Sequence, residues 1–189
     1  MEKVVIFIDG SNFYHGIRDN LGKDANIDFE GFSKLLTGER KLVRTYYYNA
    51  PVRKEDGEDR YKRQQKFLQK LETLSYFTVK LGRLEKRPKG VVVEKGVDIN
   101  IAVDVLHFAY TNVYDTAILV SGDGDFAYAI ETVKSLGKHV EVAYFWSKIS
   151  HPSHLRKAAD KFIVLTENYL KKCVFKKRNI LSKVKKAKK

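Results

Sequence analysis

The chain has 189 residues, 43% of them hydrophobic and 12% aromatic, enough for one ordinary domain plus an appendage and too apolar for a disordered chain. A single cysteine, Cys173, excludes an internal disulfide and a cysteine-based zinc site, and no apolar run approaches the roughly eighteen residues of a membrane span. The net charge of +13 is unevenly spread: residues 171–189 hold ten lysines and arginines and no acid, which leaves residues 1–170 close to balance.

The first element is an apolar strand over residues 3–8, reached directly from Met1-Glu2. It is too short for the core of a secretory leader, so the chain is expected to be cytoplasmic and to have no membrane association. The strand stops at Asp9-Gly10-Ser11-Asn12. Gly10 lets the chain turn without a side chain in the way, and Ser11 or Asn12 offers a cap for a helix near 12–20. Asp9 in that position is either a turn-former or a site residue.

Helical patterns follow near 29–36 and 57–74, and strand patterns at 42–48 and 76–81. The segment 83–95 breaks this rhythm. Arg87-Pro88-Lys89-Gly90 carries turn chemistry between two short extended pieces, which predicts a hairpin or protruding loop. Arg83, Arg87, Lys89 and Lys95 make it basic and candidate for phosphate contact.

That loop leads into a helix over 98–110. At about 100° per residue, Ala102, Val105 and Ala109 fall within about 40° of Asp98, which predicts that Asp98 points along the buried face in the first turn. Asn100, Asp104 and His107 fall on the other side, so Asp104 is expected to meet solvent or a neighbouring polar group such as His107 and to have at most a supporting role. For Asp98 the competing reading is an N-cap.

The next strand, 115–120, ends in Ser121-Gly122-Asp123-Gly124-Asp125-Phe126, before a helix over 125–136. Two glycines free the backbone, and two carboxylates lie two residues apart. An N-cap explains one of them but not both, and their mutual repulsion favours a cation between them. Ser121 and the amides at that helix start could orient the carboxylates or hold a phosphate. Gly137 reads as the helix C-cap before a strand over 139–145, and a last helical pattern covers 151–159. The five histidines show no zinc spacing and are expected at caps or on the surface.

Alternating strands and helices predict a three-layer α/β/α domain over residues 1–170, with a mostly parallel central sheet of about five strands. Residues 171–189 form a basic tail, read either as an arm for polyanions or as a solvated end; Val174, Leu181 and Val184 could place part of it as a helix on the body. Buried strands ending in Asp-Gly turns present carboxylates at one rim of such a sheet, where α/β folds place their sites. A cluster of carboxylates without histidine or cysteine suits a hard ion, Mg²⁺ or Mn²⁺.

At Phe7-Ile8-Asp9-Gly10-Ser11-Asn12-Phe13, Lys95-Gly96-Val97-Asp98, Asp104 and Val120-Ser121-Gly122-Asp123-Gly124-Asp125-Phe126, the chain resembles the NYN domains of the PIN-like nuclease superfamily, in particular their LabA-like branch. The resemblance covers roughly residues 1–165. It implies a PIN-type parallel sheet and Mg²⁺- or Mn²⁺-dependent cleavage of RNA, exo- or endonucleolytic. It makes Asp9, Asp98, Asp123 and Asp125 the catalytic, metal-binding acids, with Asn12, Ser121 and Asp104 supporting. The alternative on the same fold is a nucleic-acid-binding or regulatory module that does not cleave. Phosphoryl-transfer enzymes of the Toprim or haloacid-dehalogenase type lose on single positions: the first needs a glutamate at residue 9, the second an aspartate at residue 11, where serine stands. Whether the chain is a monomer or a homodimer is left open.

Overall fold

A computed structural model describes residues 1–22, 25–86, 92–146 and 153–175. Six strands form one sheet: β1 (Lys3–Asp9), β2 (Lys41–Asn49), β3 (Phe77–Leu81), β6 (Thr116–Val120), β7 (His139–Phe145) and β8 (Lys161–Leu165). Their spatial order is β3-β2-β1-β6-β7-β8 and every neighbouring pair is parallel. Strand β8 is the one the sequence reading leaves out; it is an edge strand, and Lys161-Phe162-Ile163-Val164-Leu165 has the β-branched and aromatic content of one. Between β3 and the next helix stands a separate antiparallel hairpin, β4 (Arg83–Lys86) with β5 (Val92–Lys95).

The connections α1 (Gly10–Leu21), α2 (Phe29–Thr37) and α3 (Glu58–Glu72) cover one face of the sheet, and α4 (Val97–Tyr110), α5 (Ala127–Ser135) and α6 (Ser153–Ala158) the other. Alternation along the strands decides which core each residue joins. In β1, Val4, Ile6 and Ile8 pack with Phe13, Phe29 and Phe32, whereas Val5 and Phe7 pack with Ile101, Tyr114 and Ile130. Both faces of the central strands are thus covered, which is why they read as continuous apolar runs rather than alternating ones. Gly137, at φ +75°, ends α5 in the left-handed conformation and returns its amide to the Lys134 carbonyl.

Two further helical turns, α7 (Glu167–Leu170) and a 3₁₀ turn (Lys171–Cys173), keep the chain on the body. Cys173 is buried, the Asp28 amide donates to its carbonyl, and Val174 pairs with Ile27 across an isolated bridge. Leu181 and Val184 lie outside the described residues. No helix among those described is long and apolar enough to cross a membrane.

The strand order has one consequence for function. From β1 the chain winds outward to β2 and β3, then returns to the other side of β1 and winds outward through β6, β7 and β8. The connections after β1 and β6 therefore leave on opposite faces and open a crevice at the carboxyl ends of these two neighbours. Open parallel sheets bind their ligands at such a switch point.

Candidate metal centre at the carboxyl rim

Asp9 is the last residue of β1 and only 5% exposed. One carboxylate oxygen accepts the Asn12 amide at 3.1 Å and so caps α1; the other accepts the Ser121 hydroxyl at 3.0 Å. Ser121 in turn accepts the Asp123 amide at 3.1 Å, and the Asn12 side chain accepts the Gly122 amide at 3.2 Å. These bonds stitch the end of β1 to the end of β6. Asp9 thus serves as both helix cap and cluster member, so turn-forming and site-forming roles are not alternatives here. The cap expected from Ser11 or Asn12 is supplied by Asp9 instead, which frees Asn12 to reach across the crevice.

Gly10 is needed for space rather than for an unusual backbone angle. A Cβ there would lie 2.5 Å from the Tyr48 carbonyl oxygen and 2.6 Å from the Tyr47 ring. Gly122 and Gly124 are different: neither has a positive φ, and a Cβ on either would meet nothing closer than 3.9 Å. Neither the backbone nor the packing demands glycine at these two positions, so they leave open space beside Asp123.

Asp123 caps the 3₁₀ turn Gly124–Phe126 by accepting the Asp125 amide at 3.0 Å, while Asp125 itself is exposed. The amides of Gly122, Asp123 and Asp125 are all committed to side chains of this network, so they are not the phosphate cradle that the loop's composition suggests.

For Asp98 the competing reading as an N-cap falls, because Gly96, at φ +84°, is the residue at the N-cap position of α4. On the wheel Asp98 lies between Val105 and Ala109 of the buried stripe Val97, Ile101, Val105 and Ala109, as the sequence reading has it. It is nevertheless exposed, because it stands in the first turn, at the end of the helix that faces the rim.

Asp104 faces neighbouring polar groups, as expected, but they are not His107: it accepts the Tyr48 hydroxyl at 2.7 Å and pairs with Lys80 at 2.6 Å. The Lys80 ammonium sits over the rings of Tyr46 and Phe108. This acid is neutralised by a half-buried cation and holds α4 to the ends of β2 and β3. Its contribution is positional.

The electrostatics of the other acids are the reverse. Burial raises the pKa of Asp9 above the ordinary carboxylate value; the bonds from Asn12 and Ser121 offset part of this, and the negative charges of Asp98 and Asp123 add to it. Asp98 is raised by partial loss of solvent around its carboxyl group and then by Asp123 and Asp125. Acids from three distant segments, in β1, α4 and the loop after β6, therefore repel one another at one rim, and no cation figures among the groups acting on Asp9 or Asp98.

Among the described residues no three Asp, Glu, His or Cys side chains are arranged to hold one ion between them. The chemistry of the donors nevertheless fits a hard divalent ion. Mg²⁺ keeps several waters and takes only one or two protein carboxylates alongside substrate phosphate oxygens, so a three-acid cage is not what it requires.

Of the basic residues expected at the hairpin, Arg83 is exposed, and Lys95 is paired with Glu85 at 3.2 Å. Arg87 and Lys89 lie outside the described residues, as does His151. The sequence reading overlooks Lys80, whose pairing with Asp104 joins β3 to α4 across 24 positions.

A fully parallel α/β sheet with an acid cluster at the switch point is the architecture of the PIN-like nuclease superfamily, whose members generally depend on divalent metals. Within it, the chain belongs to the NYN domain family, whose model matches residues 3–166. It is 30% identical over 171 residues to the low amplitude and bright protein LabA of Synechococcus elongatus, covering 87% of this chain and 84% of that one. A crystal structure of a protein of unknown function from Vibrio parahaemolyticus superposes with a TM-score of 0.71 at 25% identity, covering 92% of this chain and 96% of the other.

Proposed function

We propose that the chain is a metal-dependent ribonuclease whose site is formed by Asp9, Asp98, Asp123 and Asp125. The observation that carries this reading is the accumulation of carboxylates at the switch point: the charges of Asp98 and Asp123 raise the proton affinity of Asp9, and those of Asp123 and Asp125 raise that of Asp98. Nucleic acid cannot bring a phosphate into that field unless a cation first balances it. A bound Mg²⁺ or Mn²⁺ supplies that charge and lowers the pKa of coordinated water.

The chain's own residues divide the remaining work. Asp9 and Asp123 are fixed, the first by Asn12 and Ser121, the second by the turn it caps. Asp98 and Asp125 are exposed and can adjust to the ligand. Asn12 and Ser121 orient the fixed pair, and the open space at Gly122 and Gly124 admits the phosphate. Hydrolysis in line then leaves a 5′-phosphate and a 3′-hydroxyl. Arg83 and the lysines of the tail offer backbone contacts that carry no sequence preference.

The test is cleavage of a single-stranded RNA by the purified full chain with Mn²⁺, compared with EDTA. Cleavage that EDTA abolishes is expected; an inert protein in both arms refutes the proposal. The rival reading, a nucleic-acid-binding module without catalysis, draws on the lack of a preformed three-acid grouping among the described residues. RNA binding indifferent to EDTA and without cleavage supports that rival.

Gly122→Ala separates the phosphate path from the fold. Its Cβ is accommodated and its backbone angle is ordinary, so Tm is expected to hold or rise by about 1–3 °C from reduced unfolded-state entropy. Cleavage is expected to fall about tenfold, a barrier increase of about 1.4 kcal/mol, as the methyl group fills the approach. Thermal melts and initial rates on one preparation measure both.

A further inference from the structure

Helix α4 carries a second apolar stripe of which its own fold uses only Leu106, partly packed against the core. Ile99, Val103, Leu106 and Tyr110 are spaced four, three and four residues apart and fall within about 40° of Ile99 on the helix. The buried stripe, Val97, Ile101, Val105 and Ala109, is centred about 150° away. Ile99 is 68% exposed, Val103 56% and Tyr110 80%, with Leu106 half-buried between them. On the adjoining α5, Tyr128 is 80% exposed. A surface helix normally shows one apolar stripe and a charged outer face; this one is apolar on both sides.

Charge identifies what fits it. The chain has 36 lysines and arginines, yet none between residues 96 and 133, the stretch that contains α4 and the start of α5. Away from the acid rim, the outer face of α4 has no lysine or arginine of its own for nucleic acid to hold, and an anionic membrane surface requires basic residues beside the apolar face. A second copy has the opposite requirement. Two molecules each carrying +13 repel, and they associate only through a face that brings no cations together. Of the two acids on α4, Asp104 is turned away and neutralised by Lys80, and Asp98 at the head of the helix is about 100° round from Ile99 and falls opposite Thr111 in an antiparallel pair, so the stripe sets no like charges against each other.

We infer that this chain forms a homodimer through α4, with the two helices packed antiparallel about a two-fold axis near Val103 and Leu106. The spacing of four, three and four is that of a helix-pair seam, and an antiparallel pair is self-complementary: Ile99 of each copy meets Tyr110 of the other, and Val103 meets Leu106. Tyr128 of each α5 widens the contact. The inference is independent of whether the acid rim cleaves RNA.

Sedimentation velocity of the full chain over a concentration series tests it. The wild type is expected to be dimeric at about 0.1 mM. Because the two copies repel at long range, its dissociation constant is expected to fall as salt rises from about 0.05 M to about 0.5 M. Val103→Glu, a substitution of an exposed residue, is expected to weaken the dimer at least tenfold while the far-UV circular dichroism and Tm of the monomer stay unchanged, and Tyr110→Glu is expected to do the same. A wild type that remains monomeric, or a Val103→Glu protein that is folded and dimerises as tightly as the wild type, overturns the inference.

Discussion

Asp98→Asn and Asp123→Asn are each expected to reduce metal-dependent RNA cleavage by more than about 100-fold, which corresponds to at least about 2.7 kcal/mol of lost transition-state stabilisation. The two positions test different parts of the site. Asp98 is exposed and caps nothing, so exchanging its carboxylate for an amide removes a charge and an ion ligand while leaving the local structure alone. Asp123 accepts the Asp125 amide, a bond that an asparagine oxygen can keep, so the turn survives this exchange as well. Both variants are therefore expected to retain the wild-type circular dichroism spectrum. Asp104→Asn provides the contrast: it leaves Lys80 without its counter-ion over the rings of Tyr46 and Phe108, and its effect is expected mainly on stability. Full activity in the Asp98 or Asp123 variant would show that the acids at the rim are not the catalytic group.

How far the sequence could be read depended on whether a feature was local. The ends of β1 and β6 are legible because a buried apolar run stops where the sheet does, the first at Asp9 and the second at Ser121, just before Gly122-Asp123. Gly10 was recognised as necessary, but the reason lies in Tyr47 and Tyr48, forty positions away, whose approach no local pattern announces. Asp98 is legible in angle, since it shares the sector of Val105 and Ala109, but its exposure is not: a helical wheel gives no position along the axis, and in the first turn the sheet no longer covers that sector. The polar surroundings of Asp104 are legible but its partner is not: Lys80 comes from a strand on the far side of the hairpin, and such a pairing exists only after the sheet has formed. The missed β8 does not fit this account: β3 is an edge strand just as half-buried and was legible, and Phe162-Ile163-Val164-Leu165 is an apolar run of the same kind.

Mn²⁺ is expected to raise the Tm of the wild type substantially and that of Asp9→Asn little. An ion that binds only the folded chain contributes about 2.7 kcal/mol when present at 100 times its dissociation constant, and for a chain of this size that is about 5–11 °C. Without metal the order reverses. Asp9 and Asp98 both have raised pKa values, so the folded chain holds their protons more tightly than the unfolded chain does. Such groups favour the folded state at low pH and lose that contribution as pH rises through the folded pKa. Once ionised, Asp9 is a buried charge beside two other negative charges, and asparagine in its place removes the repulsion while an oxygen remains for the Asn12 amide. Metal-free Asp9→Asn is therefore expected to melt a few degrees above the wild type at pH 7. The gap should narrow as pH falls through the raised values toward 3.8, the ordinary value for an aspartate. Comparing the two proteins at each pH cancels Glu2, Asp115 and Asp160, whose lowered pKa values give the opposite dependence. If the wild type instead proves the more stable of the two without metal, Asp9 acts chiefly as the cap of α1 and its charge is not the strain that a divalent ion relieves.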